Sequence, residues 1–352
     1  MLLGIWFWLC STTIVGAALV LLCGACIATL LGFLGALAWP LALLDHLRPH
    51  YVLCIGVASF FLLFCRAERS RTKPFLLLGL VALSINMSLL LPLIIPHNRS
   101  APSLNGLSST SETSLSILHF NLDRENRQRQ SVITYLDQQE ADILLLQEIT
   151  PDWLSLIEQE LIHYEIVTAL PQSNSQGSAV LKRRDEQLST NLAVTSTQIH
   201  AFPSNSTRPI LSAEVTLNGQ TMTLLSLHVT RPRNASTSKF QQKELDAIAH
   251  WVHTIQPPTH PVIILGDFNS TPWSQVFHTF QRQSGLSLAQ QGWGLKPTWP
   301  TRLPSWLQIP IDCCLHSSSL TPVDYQVGPH LGSDHHPITV RLASPYFPGM
   351  GR

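Results

Sequence analysis

One segment gives the clearest indication of the fold class of this chain. It reads Val262-Ile263-Ile264-Leu265-Gly266-Asp267-Phe268-Asn269. Its first four residues are apolar and three of them are β-branched, which predicts a buried strand. The glycine and the polar residues that follow predict the end of that strand. An acid and an amide at this point can reach a cleft at the edge of a sheet. The segment therefore indicates an α/β domain with functional residues at its strand ends.

On both sides of this segment, short β-rich runs alternate with helical stretches, which is typical of mixed α/β packing. The predicted strands cover residues 116–122, 142–147, 178–181, 210–217, 221–228, 261–266 and 338–342. Asn218-Gly219 predicts a type I′ hairpin between two of them, because both central residues of that turn need positive φ. Apolar residues at helical spacing predict an amphipathic helix over residues 237–255 that covers one face of a sheet.

The composition indicates that part of the chain lies outside water. The 352 residues are 45% apolar and only 12% charged, whereas about a quarter is usual for soluble proteins. The deficit lies in residues 1–96, which carry five basic and two acidic side chains, while the rest of the chain carries 17 and 20. Apolar runs over residues 5–44, 51–65 and 74–95 predict a membrane domain of about three transmembrane helices, the middle one short.

The first apolar run predicts a membrane helix, with or without a re-entrant piece near Trp39-Pro40. A signal peptide is the alternative, but its apolar region is only about 7 to 15 residues long. The dense basic cluster at residues 66–73 predicts a cytoplasmic loop, so that the third span leads to the far side of the membrane. Residues 97–115 are rich in Ser, Thr, Asn, Pro and Gly, which predicts a flexible linker before a globular domain over residues 116–345.

Short polar motifs close or follow the apolar strands of the globular part. In chain order they are His119-Phe120-Asn121-Leu122, Gln147-Glu148, Leu227-His228, Gly266-Asp267-Phe268-Asn269, Ile311-Asp312 and Ser333-Asp334-His335-His336-Pro337. Each one alone has an ordinary explanation, since Asp and Asn cap helices and turns and His is often a satisfied core residue. Together they supply what hydrolysis of a phosphate ester needs: ligands for a hard cation, a base for water and an acid for the leaving oxygen.

This ordered series closely resembles the endonuclease/exonuclease/phosphatase superfamily over residues 115–343, and in particular its bacterial membrane-anchored branch. The resemblance implies a four-layered α/β/β/α sandwich of DNase I-like fold behind the N-terminal transmembrane helices. It also implies a hydrolase that cleaves a phosphodiester or phosphomonoester by in-line attack of an activated water. In a Gram-negative bacterium, the predicted orientation makes this a multi-pass inner-membrane protein with a periplasmic catalytic domain.

The resemblance also implies roles for individual residues. Asn121, Glu148 and Asp334 would bind Mg²⁺, which prefers oxygen ligands, with Mn²⁺ as an alternative. Asp267 would orient or deprotonate the attacking water, and Asn269 would hold the phosphate or that water.

Two histidines and a buried acid complete this set. His335 would contact the phosphate and stabilise the transition state, and Asp312 would orient one of the histidines, as a carboxylate behind an imidazole does. His228 stands where DNase I-like members carry an acid for the leaving group.

Three features lie outside the shared motifs. Arg231, just past His228, is a candidate phosphate contact, with a solvated loop charge as the alternative. Trp299, in a loop before Ile311-Asp312, could stack on a base or enter lipid headgroups, with a packed surface loop as the alternative. Many relatives have His or Tyr after the Ile-Asp pair, whereas Cys313-Cys314 follow here, most simply as two small buried residues.

The substrate stays open at this level. The globular part is net acidic, which argues against long duplex DNA, although a nuclease remains the main alternative. Attachment to a bilayer favours a phospholipid, a lipid-linked phosphate or another envelope ester. Two other classes are a non-catalytic binding module that kept the fold, which the intact motifs disfavour, and a transporter, which the lack of ionisable residues at mid-depth in the spans disfavours.

Overall fold

The computed structural model describes residues 2–64, 69–95, 114–184, 191–255 and 260–344. Contacts divide it into two compact units, Met1–Ile94 with Trp273–Gln275, and Ile95–Pro272 with Val276–Arg352. The first three residues of the basic loop predicted at residues 66–73 and nearly all of the linker predicted at residues 97–115 lie outside the described residues.

The first unit is helical. Its helices are α1 (Leu2–Gly32), α2 (Trp39–Asp45), α3 (Arg48–Phe64) and α4 (Arg69–Ile94). Two segments, Thr13–Gly32 and Arg71–Ile94, are long and apolar enough to cross a membrane, and α2 and α3 form a pair bent by 66° that could make a third span. Helix α1 ends at Gly32 and α2 begins at Trp39, and the re-entrant or interfacial piece near Trp39-Pro40 stays a prediction.

A buried polar network ties the helices of this unit together. Arg48, at the break between α2 and α3, donates to the Asp45 carboxylate and, at 3.2 Å, to Oδ1 of Asn86 on α4. Nδ2 of Asn86 donates to Oγ1 of Thr29 on α1 at 2.8 Å. All four side chains are buried. Because a charge in apolar surroundings is costly unless it is paired, this network holds specific faces of the helices together.

The second unit contains two six-stranded sheets. Sheet one has the strand order β11-β12-β1-β2-β4-β3 and sheet two the order β5-β6-β7-β8-β10-β9. The strands of sheet one are β1 (Ser114–Asn121), β2 (Ile143–Gln147), β3 (Tyr164–Leu170), β4 (Ser178–Arg183), β11 (Thr321–Val327) and β12 (Ile338–Ala343). The strands of sheet two are β5 (Leu192–Ala201), β6 (Pro209–Leu217), β7 (Gln220–His228), β8 (Val262–Asp267), β9 (Ser287–Leu288) and β10 (Asp312–His316).

The period-two alternation of strand residues builds two apolar layers around sheet one. Leu115 and Ile117 of β1 face sheet two and pack with residues such as Leu224 and Ile263. Leu118 and Phe120 face the opposite way and pack under α5 (Arg129–Asp137) and α6 (Pro151–Glu160).

Helices α7 (Ala235–Ile255) and α8 (Gln275–Ser284) accompany sheet two. Gln241 of α7 donates to the carbonyl oxygens of Phe268 and Asn269 at 3.1 Å, and the Phe268 ring packs on Phe277 and Phe280 of α8. The predicted four-layered α/β/β/α fold is confirmed.

All seven predicted strands are present. The hairpin is confirmed too, since Asn218 and Gly219 have φ of 49° and 86° and Leu217 pairs with Gln220. The predicted helix over residues 237–255 begins two residues earlier, at Ala235. Five strands were not predicted: β3, β5, β9, β10 and β11.

Candidate active site

Strand pairing brings the predicted motifs to one edge of the two sheets. β1 and β2 run parallel, with Asn121 opposite Gln147, and β7 and β8 run parallel, with His228 opposite Asp267. β10 runs antiparallel to β8 and begins with Asp312 opposite Asp267. Because the carboxyl ends of parallel strands meet at the same edge, side chains that are far apart in the sequence share one cleft.

This cleft has a volume of about 500 Å³. Nine of the ten predicted site residues line it: Asn121, Glu148, His228, Arg231, Asp267, Asn269, Trp299, Asp334 and His335. The tenth, Asp312, is fully buried behind His335. The structure therefore brings the whole predicted set together.

A chain of carboxylates and imidazoles forms the floor of the cleft. Oδ2 of Asp312 lies 2.9 Å from Nδ1 of His335, and its Oδ1 lies 3.0 Å from Nε2 of His119. Nε2 of His335 points towards Asp267, 3.8 Å from Oδ2. Asp312 thus fixes the ring of His335 so that its second nitrogen faces the cleft.

Burial and the charges of neighbouring groups together shift the pKa values of Asp312 and His335 in opposite directions. Burial alone would raise the pKa of Asp312, but the facing His335 and His119 outweigh it and hold that pKa below its usual range. Burial alone would lower the pKa of His335, but Asp312 and Asp267 outweigh it and raise that pKa to about 10. At neutral pH an imidazolium therefore lies beside an ionised Asp312.

Asp267 is the second acid of the floor. Burial raises its pKa to about 7, helped by the negative charge of Asp312 and opposed by His335. Its Oδ1 accepts from the backbone N–H of Asn269 at 2.7 Å, and its Oδ2 accepts from Nδ2 of the same residue at 3.1 Å. A carboxyl group with this pKa exchanges a proton near neutral pH, as a general base must.

Asn269 is held in the left-handed region, with φ of 46°. Nδ2 of Asn269 also donates to the carbonyl oxygen of Val229 at 3.1 Å, and Nε2 of Gln241 donates to the backbone carbonyl oxygen of Asn269. Residues other than glycine adopt this conformation at a cost, and these bonds offset it. The amide is thereby fixed next to Asp267.

His228 stands on the other side of Asp267, with Nε2 3.6 Å from Oδ2. Burial, Arg208 and His335 lower the pKa of His228 to about 3. The imidazole is therefore neutral at pH 7 in the absence of substrate.

Oxygen-bearing side chains stand on the opposite wall. Oε1 of Glu148 lies 3.4 Å from Nδ2 of Asn121, and Oε2 accepts from the backbone N–H of Arg124 at 3.2 Å. Burial raises the pKa of Glu148, whose φ is 60°. Asp123 and Asp334 line the same cleft.

Two groups of side chains could hold a metal ion. Glu148, Asn121 and Asp334 offer carboxylate and amide oxygens, the donors that Mg²⁺ prefers. Asp267, Asp312 and His335 also lie with their ligand atoms within 4.8 Å of one another. The second group, however, includes an imidazole nitrogen and the fully buried Asp312, whereas the first group offers oxygen donors alone and lines the cleft. The donor chemistry of the first group fits a hard cation better.

The two predicted substrate contacts lie at the rim. The guanidinium of Arg231 lies over the Trp299 ring, 4.7 Å from its centroid. Nε1 of Trp299 donates to Oδ2 of Asp334 at 3.0 Å. These contacts keep an aromatic face and a cation beside Asp334.

The sequence interpretation missed three residues of the site, His119, Arg208 and Glu244. His119 is fully buried against Asp312, and the signal for it was the alternation that places His119 on the same strand face as Ile117 and Asn121. Arg208 and Glu244 meet beside His228, and no motif signals them.

Cys313 and Cys314 behave as small core residues. Both are fully buried and burial raises the pKa of both thiols, so they stay protonated and unreactive.

The comparisons with solved structures agree with this fold. D. rerio TDP2 complexed with a single-strand DNA product is 19% identical with a TM-score of 0.56, over 66% of this chain and 100% of that one. A Bacteroides thetaiotaomicron mannosyl-6-phosphatase is 16% identical with a TM-score of 0.51, over 65% and 99%. At such identities the likeness concerns the fold. No curated protein matches the chain.

A match to a family model identifies the family, which the fold similarities alone do not. The model described as Endonuclease/Exonuclease/phosphatase family matches residues 117–335, which is more than half of the chain and contains all ten predicted site residues. The chain therefore belongs to the endonuclease/exonuclease/phosphatase family.

Proposed function

We propose that the protein is a membrane-anchored, Mg²⁺-dependent phosphoester hydrolase. Its family consists of phosphoester hydrolases, and one observation carries the assignment to this chain. The Asp312–His335–Asp267 chain faces the oxygen donors Glu148 and Asn121 across a single cleft. A binding module has no need for a base with a pKa near neutrality next to a buried imidazolium.

In this proposal, Asp267 receives a proton from the attacking water. Its pKa of about 7 suits that step, and Asn269 beside it orients the water or the phosphate. The cationic His335, held by Asp312, stabilises the negative charge that grows on the phosphoryl oxygens.

Glu148, Asn121 and Asp334 are the proposed metal ligands. When bound there, Mg²⁺ would neutralise charge on the phosphoryl oxygens, and Mn²⁺ could replace it. The backbone of Asn121 is held by Ser333, whose hydroxyl donates to the backbone carbonyl oxygen of Asn121 at 2.7 Å.

His228 is the proposed partner of the leaving oxygen. It is neutral in the free protein, so its action as an acid requires the negative charge of a bound phosphate to raise its pKa. Arg231 and Trp299 at the rim would contact the group attached to the phosphate.

For the substrate, we propose a phosphate ester of the membrane or envelope. The apolar segments Thr13–Gly32 and Arg71–Ile94 support anchoring in a bilayer, which we propose to be the inner membrane with the catalytic domain periplasmic. A nuclease is the second candidate, supported by the arginines that line the cleft and by the fold it shares with a DNA-bound TDP2.

The test uses the full chain in detergent with a panel of phosphomonoesters, phospholipids and single- and double-stranded nucleic acids. Each substrate is offered with Mg²⁺, with Mn²⁺ and with EDTA. We expect turnover of at least one class, abolished by EDTA and by Asp267→Asn. If Asp267→Asn binds a ligand as the wild type does and the wild type turns nothing over, the protein is a binding module and the proposal is wrong.

A further inference from the structure

Charge is divided between the two walls of the cleft. The acidic wall comprises Asp123, Glu125, Glu148 and Asp334, which follow strands of sheet one. The basic wall comprises Arg208, Arg231 and Arg233, from the loops before β6 and after β7 of sheet two. Within the described residues, the basic wall therefore presents three guanidinium groups to the same cleft as the proposed metal ligands.

The other two arginines of the cleft are balanced by neighbouring acids. Arg124 forms an ion pair with Glu125 at 3.2 Å, and Arg302 interacts with Asp123. On the basic wall, neither Arg231 nor Arg233 forms an ion pair with any residue that the structure describes. Among the described residues, Arg231 and Arg233 thus give the basic wall positive charge that no acidic side chain neutralises.

Arg208 is held in place from behind. Its Nε lies 3.6 Å from Oε1 of Glu244, a fully buried residue of α7, and its Nη2 donates to the carbonyl oxygen of His228 at 3.5 Å. Oε2 of Glu244 accepts from the backbone N–H of Thr230 at 2.8 Å. The Arg208 side chain is only 18% exposed, so its guanidinium is fixed beside the cleft. An immobilised guanidinium binds a phosphate with little further loss of entropy.

We propose that the basic wall is a subsite for a second phosphate group of the substrate, with Arg208 as its fixed centre and Glu244 as the residue that positions Arg208. The inference rests on the proposed function. In the proposed function, the scissile phosphate would face His335, Asn269 and the acidic wall, so three more guanidinium groups exceed what one phosphate requires. The ligand chemistry is a second phosphate that one sugar or inositol ring separates from the scissile one, as in a nucleic acid strand or a phosphorylated lipid headgroup.

Matched substrate pairs test this subsite with the full chain in detergent. Thymidine 5′-(p-nitrophenyl phosphate) with and without a 3′-phosphate represents the nucleic acid source. Phosphatidylinositol with and without a 4-phosphate, in mixed micelles, represents the lipid source. We expect a KM about tenfold lower for the member with the second phosphate in at least one pair. The pair that shows the preference identifies the source.

Variants separate the subsite from the catalytic machinery. Arg208→Ala and Arg233→Ala should remove the preference for the second phosphate, and Arg233→Ala should do so while the kcat for the one-phosphate substrate changes less than about twofold. Glu244→Gln should weaken the preference in the same direction, and Arg208→Lys should restore part of what Arg208→Ala loses. Arg282→Ala, an exposed arginine of α8 outside the cleft, is the control and should leave the preference intact.

A binding measurement keeps the two proposals distinguishable. Thymidine 3′,5′-bisphosphate should bind the wild type about tenfold more tightly than thymidine 5′-monophosphate by calorimetry in EDTA, or the phosphoinositide pair should show the same difference. Tight binding without turnover would reject the proposed function and keep the subsite. The subsite would be overturned if the two members of each pair had equal KM and equal binding. It would also be overturned if Arg208→Ala weakened the binding of both members of a pair equally.

Discussion

Asp267 links the local structure of one strand end to the proposed chemistry. It is buried, it is bonded twice to Asn269, and it lies between two histidines of opposite character. His335 is held cationic by its acids and His228 is held neutral by burial. Two imidazoles a few ångströms apart can therefore play different parts because their surroundings differ.

The raised pKa of Asp267 predicts the pH dependence of hydrolysis. Only the ionised carboxylate can accept a proton from water, and its pKa is about 7 instead of 3.8. The rate should therefore fall as pH drops below 7, to about one tenth of the plateau at pH 6. The measurement is kcat/KM between pH 5.5 and 9 at constant Mg²⁺.

A buried carboxyl outside the cleft provides the control for this profile. Burial raises the pKa of Asp142 to about 6, but its Oδ2 accepts from the backbone N–H of Ser116 at 2.7 Å and the residue does not line the cleft. Asp142→Asn should leave the profile unchanged. A wild-type rate that stays constant from pH 5.5 to 8 would show that Asp267 is not the base.

At the scale of single residues, sequence reasoning found those whose place is set by strand ends. An apolar run ends at or just before each of Asn121, Glu148, His228 and Asp267, and this local pattern can be recognised in the sequence alone. His119 requires knowledge that β1 faces β10 across the two sheets.

The contact between Arg208 and Glu244 could not be predicted from the sequence for the same reason. The two residues lie 36 positions apart in a loop and a helix, and only the tertiary fold joins them. Contacts between separate elements are not encoded in any local spacing.

At the scale of elements, the junction of β7 and β8 positions the site, and Gly266 permits it. A Cβ at Gly266 would lie 1.9 Å from the carbonyl oxygen of Leu227, and its φ is 157°. Gly266→Ala should therefore force the paired strands apart and destabilise the domain by roughly 2 to 4 kcal/mol. Thermal unfolding in detergent, followed by tryptophan fluorescence, measures the loss.

The hairpin glycine offers a matched control. Gly219 has φ of 86°, but a Cβ there would meet nothing within 4 Å. Gly219→Ala should cost only the conformational strain, about 1 kcal/mol. Equal losses for the two variants would mean that the close approach at Gly266 does not hold β7 and β8 in place.

The strands that sequence reasoning missed share a physical cause. β5 is exposed along most of its length and lacks an alternating apolar face. β10 begins with an acid and two cysteines, and β11 carries Pro322 and an irregular register after it. These strands exist because a partner strand supplies their hydrogen bonds, whereas the central strands carry their own apolar signal.

At the scale of the whole molecule, the proposed orientation can be tested independently of the chemistry. The basic residues at 66–73 predict a cytoplasmic loop and therefore a C-terminus on the far side of the membrane. A reporter enzyme that is active only outside the cytoplasm, fused after Arg352, should be active in bacterial cells. A reporter active only in the cytoplasm is the reciprocal control, and its activity would contradict the orientation.

The Mg²⁺ concentration that gives half-maximal hydrolysis tests the central claim, that one cleft combines a metal site on the acidic wall with a separate base. It is measured for the wild type, Glu148→Gln and Asp267→Asn. Glu148→Gln should raise this concentration tenfold or more, because a metal ligand is lost, and saturating Mg²⁺ should restore much of the rate. Asp267→Asn should lower kcat on the order of a thousandfold at an unchanged Mg²⁺ requirement. An unchanged Mg²⁺ requirement in Glu148→Gln, or an undiminished kcat in Asp267→Asn, would contradict the claim.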